Sequence, residues 1–67
     1  MIYCQDREKV VRAGEEIYIN KNPNEFQVIN NLNSKAIVLG EYKTLDVAEE
    51  TLKTIFQYKK RTLVTIN

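Results

Sequence analysis

The side chain with the greatest intrinsic reactivity in this 67-residue sequence is Cys4, the one cysteine it contains. A thiol becomes a nucleophile as its thiolate, which needs a neighbouring base or cation. The sequence holds no histidine, so Arg7, Lys9 or another basic group would have to serve. The same absence removes every dyad that uses imidazole as its base and every His-containing zinc site. One cysteine makes neither an internal disulfide nor a Cys-x-x-Cys knuckle. Cys4 therefore reads as a small apolar residue of a first strand.

The carboxylates Asp6, Glu8, Glu15, Glu16, Glu25, Glu41, Asp46, Glu49 and Glu50 follow no metal-loop spacing. Glu49 and Glu50 would stand about 100° apart around a helix, which suits solvation better than joint acid–base work. Gly14 and Gly40 are isolated, so no loop is built to cradle a phosphate. No catalytic, cofactor-binding or metal-ligating set emerges, and the chain reads as a non-enzyme.

Aromatic and basic residues suggest a second chemistry. Tyr3 and Tyr18 offer stacking surfaces, with Lys35 and the cluster Lys59-Lys60-Arg61 as phosphate contacts. Aromatic and basic sheet faces bind single-stranded nucleic acid in this way. Ten basic side chains against nine acidic ones, a net charge of +1, are a poor match to that role. The basic cluster also has a simpler reason to exist, as charge that complements a helix C-terminus. Nucleic acid is therefore the alternative partner.

The elements that would position these residues are short. Hydrophobic content of 43% with 28% charged residues fits one folded domain over 1–67. No apolar run is long enough to span a membrane. The N-terminus meets a charge at Asp6 and lacks the apolar core of a signal peptide, so a cytoplasmic location is expected. Met1–Gln5 and Glu8–Arg12 suit a hairpin around Asp6-Arg7. Glu16–Asn20, Phe26–Asn30 and Lys35–Tyr42 read as further strands, separated by the turn-formers Asn22-Pro23-Asn24 and Asn31-Leu32-Asn33-Ser34. Thr44 is a suitable N-cap for an amphipathic helix over 45–60. Its stripe is Leu45, Ala48, Leu52, Ile55 and Phe56. Thr62–Ile66 is β-branched and strand-like. The expected fold is α+β: an antiparallel meander of four or five short strands, one helix on one face, and a short C-terminal strand.

That arrangement carries more apolar strand surface than one helix covers. A strand with one wet face alternates apolar and polar residues, as Glu16–Asn20 does, with Tyr18 outward. The run Ala36-Ile37-Val38-Leu39 does not alternate, so either Ile37 and Leu39 or Ala36 and Val38 turn away from the helix. The second face is closed by curling of the sheet toward a small barrel, by a second copy, or by another protein. Tyr18, Ile37 and Leu39 are the candidate interaction face.

Two stretches resemble a known group. Cys4-Gln5-Asp6-Arg7 is similar to the Ser-Gln-Asp opening of small uncharacterised proteins from low-GC Gram-positive bacteria and their phages. Leu39-Gly40-Glu41-Tyr42, followed by Thr44, Asp46 and Ala48, resembles the Leu-Gly-Glu-Tyr segment that precedes the helix in that group. Cys4 stands where serine is usual. The resemblance implies a bacterial or prophage origin and carries over no activity and no site residues.

Overall fold

The computed structural model describes residues 1–58, 60 and 63–67. It is an α+β fold whose elements run β1 (Ile2–Tyr3), β2 (Val10–Val11), β3 (Glu16–Lys21), β4 (Phe26–Leu32), β5 (Lys35–Tyr42), α1 (Leu45–Tyr58) and β6 (Val64–Thr65). The strands form two three-stranded sheets, in the orders β3-β4-β5 and β2-β1-β6.

The first sheet is an antiparallel meander, and its turns follow from their residues. Pro23-Asn24 closes β3 on β4, with the Asn22 amide donating to the Glu25 carbonyl at 2.9 Å. Asn33 and Ser34 close β4 on β5 with φ of 53° and 65°. Two central residues of positive φ give the turn whose twist matches the strands it joins.

A β-bulge interrupts β5. Ile29 faces Val38 and Val28 faces Gly40, which leaves Leu39 as the extra residue. The bulge switches the parity of the strand. Before it, Ile37 shares the inner face with Asn30 and Ile17; after it, Gly40 and Tyr42 do. The unbroken apolar run at 36–39 is therefore one strand changing step, rather than a strand apolar on both faces.

The helix starts as Thr44 directs, with its hydroxyl accepting from the Val47 amide at 3.3 Å. It ends at Tyr58, earlier than the expected 60; Lys60 lies in a turn and Lys59 is outside the described residues. Its buried face consists of Ala48, Thr51 and Ile55. Phe56, expected on that face, is instead 47% exposed. The reason is Thr51, whose hydroxyl donates to the Val47 carbonyl at 3.0 Å. A satisfied hydroxyl lets the threonine methyl bury like an apolar group, and the packed stripe turns toward Thr51 and away from Phe56.

The second sheet joins distant segments. Ile2 and Tyr3 pair antiparallel with Val11 and Val10, and parallel with Val64 and Thr65. The loop between β1 and β2 is wider than Asp6-Arg7. The Cys4 amide donates to the Lys9 carbonyl at 2.9 Å, and Asp6 Oδ1 accepts from the Glu8 and Lys9 amides at 2.9 and 3.3 Å. The Asp6 carboxylate also pairs with the Lys9 ammonium. Arg7 takes up the left-handed position, with φ 62°.

Gln5 fastens the two sheets together. Its backbone amide donates to the Leu39 carbonyl at 2.9 Å. Its side-chain amide then behaves as another length of strand, accepting from the Glu41 amide at 2.7 Å and donating to the Glu41 carbonyl at 3.1 Å. The edge of β5 is thereby occupied from within the chain. One core results, containing Ile2, Cys4, Val28, Leu39, Tyr42, Ala48, Ile55, Val64 and Ile66. Asn30 is buried with them and clamps the segment before β3, its amide donating to Arg12 O at 3.0 Å and its carbonyl accepting from the Gly14 amide at 2.7 Å. Among the described residues no helix is long and apolar enough to cross a membrane.

Candidate interaction surface

The face of β3-β4-β5 turned away from α1 presents three cross-strand rows, set by the register. Glu16, Asn31 and Ala36 form one. Tyr18, Ile29 and Val38 form the next. Asn20, Gln27 and Glu41 form the last. The middle row is apolar across all three strands. Tyr18 is 41% and Val38 37% exposed, and between them Ile29 is only 6% exposed while lying outside the core cluster. Flanking side chains, not the helix, cover Ile29.

The third row is tied by hydrogen bonds. Asn20 and Asn22 both donate to Gln27 Oε1, at 3.1 and 3.2 Å, and Gln27 Nε2 donates to Glu41 Oε2 at 3.1 Å. Beside it, desolvation and the neighbouring Glu41 carboxylate push the Glu25 carboxyl above its usual range, although Asn22 opposes this. These polar groups frame the apolar row on one side.

Two members of the expected face are misplaced. Leu39 is 1% exposed and belongs to the core, because it is the bulge residue and turns inward beside Gly40. Ile37 is half-buried on the inner row with Asn30 and Ile17. Tyr18 lies on the outer face as alternation requires. Val38, which the sequence left open as the alternative to Ile37 and Leu39, and Ile29, which it did not single out, complete the surface. Gly40 was the available signal, since a glycine inside a strand often marks a bulge. It is held there by Tyr42, whose hydroxyl would lie 2.6 Å from a Cβ at that position.

Among the described residues, those proposed to contact nucleic acid are divided between the two sheets and the turn after α1. Tyr3 belongs to the second sheet, with its hydroxyl donating to the Arg7 carbonyl at 3.0 Å. The Arg7 guanidinium lies over its ring at 5.2 Å from the centroid, so that stacking face is occupied. Tyr18 lies in the first sheet and Lys35 at its β4–β5 turn. Lys60 is exposed, while Lys59 and Arg61 lie outside the described residues.

Cys4 is 1% exposed. Burial pushes its thiol pKa up, the Asp6 carboxylate adds to this, and Lys9 opposes both. A thiol so placed stays protonated at neutral pH and is a packing residue. Among the described residues no group of three or more metal-ligating side chains converges.

One further feature adjoins the apolar row. β3 is an outer strand of its sheet, and Phe56 of α1 stands beside it, lining a shallow cleft with Ala13–Tyr18. No protein-family model, curated protein or solved structure matches the chain. The surface is therefore interpreted from its own chemistry.

Proposed function

We propose that this chain is a small accessory domain of a Gram-positive bacterium or its phage, acting in the cytoplasm by protein–protein contact and associating with a second copy of itself. The observation that carries this reading is the in-register row Tyr18–Ile29–Val38 on the face α1 leaves open. An apolar row framed by polar side chains is the pattern of a contact surface. A net charge near zero adds little repulsion between copies. A single thiol with no second cysteine to pair with suits a reducing compartment.

Sedimentation over a range of concentrations tests the reading. The expected result is a monomer–dimer equilibrium weakened about tenfold or more by Tyr18→Lys, which would place a charge in the contact. A monomer at every concentration overturns it. So does salt-sensitive binding of single-stranded oligonucleotides that Tyr18→Ala weakens, since the same ring would then be a stacking platform.

A further inference from the structure

The total charge of +1 conceals a separation along the chain. Residues 1–12 and 59–67, which bracket the meander and the helix, contain six of the ten basic side chains and two of the nine acidic ones. That group is net +4, and residues 13–58 are net −3. Folding turns the separation into two unlike faces. The apolar row Tyr18–Ile29–Val38 lies between Glu16 in one neighbouring row and Glu41 in the other, and Glu25 stands beside Glu41. Lys9, which borders Val38, is already paired with Asp6. Lys43, just past the end of β5, offsets one of the three carboxylates, and the frame stays acidic.

The second sheet presents an apolar face of the opposite sign. Ile2, Val11 and Val64 pack toward the core, so the residues alternating with them turn outward. Val10, Tyr3 and Thr65 form one outward cross-strand row, and Leu63 and Arg12 continue it on the same side. Val10 is 50% and Leu63 47% exposed. Around them stand Arg12 and Lys60, both exposed, and Arg7, whose guanidinium covers the Tyr3 ring; Glu8 opposes them alone. An apolar face bordered by cations suits a partner bordered by anions, and the chain itself carries one.

We propose that the second-sheet face of one copy docks head to tail on the Tyr18–Ile29–Val38 face of another, with Arg7 and Arg12 meeting the carboxylates that frame the row. This deepens the self-association reading and rests on it. Each face is three strands wide, about 10 Å between its outer strands, and apolar sheet faces stack about 10 Å apart. Packing the acidic face on its own copy would gather Glu16, Glu25 and Glu41 of both chains in one contact. Packing the basic face on its own copy would gather the guanidinium groups. Like charges brought together across an interface oppose association, and the head-to-tail contact avoids both. Being heterologous, it leaves one face of each kind free on every dimer, so further copies add as concentration rises.

Complementation between variants tests the arrangement. Tyr18→Lys spoils the row and Val10→Glu spoils the second-sheet face; each alone should weaken association about tenfold or more in sedimentation. Mixed in equal amounts, they should recover wild-type affinity and stop at a one-to-one complex. The intact row of the Val10→Glu chain then binds the intact second-sheet face of the Tyr18→Lys chain. Arg12→Glu replaces Val10→Glu if circular dichroism shows that variant unfolded. Raising salt from about 0.05 to 0.5 M should weaken the wild-type contact several-fold, because opposite charges are screened. If the second-sheet variants associate as wild type does, or if mixing restores nothing, the head-to-tail contact is wrong while self-association stands. Association that strengthens with salt also overturns it, since like-charged faces would then be meeting. A concentration-independent monomer overturns both readings together.

Discussion

Asn30 is fully buried, and both ends of its amide are used: the NH2 donates to the Arg12 carbonyl at 3.0 Å and the oxygen accepts from the Gly14 amide at 2.7 Å. Asn30→Asp keeps the shape and changes one hydrogen-bonding role. As a protonated acid, the new side chain donates to Arg12 and accepts from Gly14, reproducing the native pair. As a carboxylate, it sets an oxygen against the Arg12 carbonyl oxygen and carries a buried charge. Burial of this kind raises a carboxyl pKa by up to about 3–5 units. The Gly14 bond, which favours the anion, leaves about two units, or about 3 kcal/mol. The folded pKa lies above the unfolded one, so the variant matches wild type below about pH 4 and loses stability as pH rises through the folded pKa. Total stability for a chain of this length is about 3–10 kcal/mol, so the loss is a large fraction of it. Urea unfolding followed by circular dichroism, on both proteins from pH 4 to pH 8, measures the difference directly. A difference that stays constant across that range would refute the clamp as described. Asn30→Ala, which strands the Gly14 donor and the Arg12 acceptor, should cost about 2–5 kcal/mol with little dependence on pH.

Three other expectations follow from the packing. Gly14→Ala puts a Cβ 2.0 Å from the Asn31 carbonyl oxygen and 2.6 Å from its carbon. Backbone must move, and thermal melting should show a loss of about 2 kcal/mol or more. Ile55→Ala, at a fully buried position, should cost about 2–5 kcal/mol, while Phe56→Ala, at an exposed one, should cost about 1 kcal/mol in the same denaturation assay. The reverse order would mean that the helix is rotated from the face described. Cys4 should react with a thiol reagent at neutral pH far more slowly than a free cysteine, and the rate should rise with denaturant; fast labelling of the native chain would contradict its burial.

Local chemistry made much of this fold legible in the sequence. Pro23-Asn24 and Asn33-Ser34 mark the two meander turns, because proline presets its φ for a turn and asparagine tolerates the positive φ that Asn33 adopts. Thr44 marks the helix start, and the period-two pattern of Glu16–Asn20 places Tyr18 outward. What escaped depends on neighbours distant in sequence. The bulge at Leu39 is a relation between two strands, so alternation read along β5 alone left both facings of 36–39 open and could not place Ile37 and Leu39 inside. Thr51 scores as polar until its hydroxyl is seen to bond within the helix. The parallel pairing of β1 with β6 joins Ile2 to Val64, and strands of two residues leave almost no periodic trace. Gln5 acts as a strand through its side chain, which no strand propensity registers.

The Ile2–Val64 pairing also bears on the order in which the chain assembles. The hairpins of the meander close short loops, whereas β1 and β6 must find each other across nearly the whole sequence. Closing a long loop carries an entropic cost that local turns avoid, and non-local pairings form late. The meander and helix are then the early structure, and the second sheet is the final seal. Reversal follows the same order. Segments held by few contacts open below the global unfolding free energy, and release of Val64–Thr65 would uncover β1 and with it Cys4. The buried thiol is thus a built-in reporter: its labelling rate, compared with global unfolding, reads how often the two ends of the chain part.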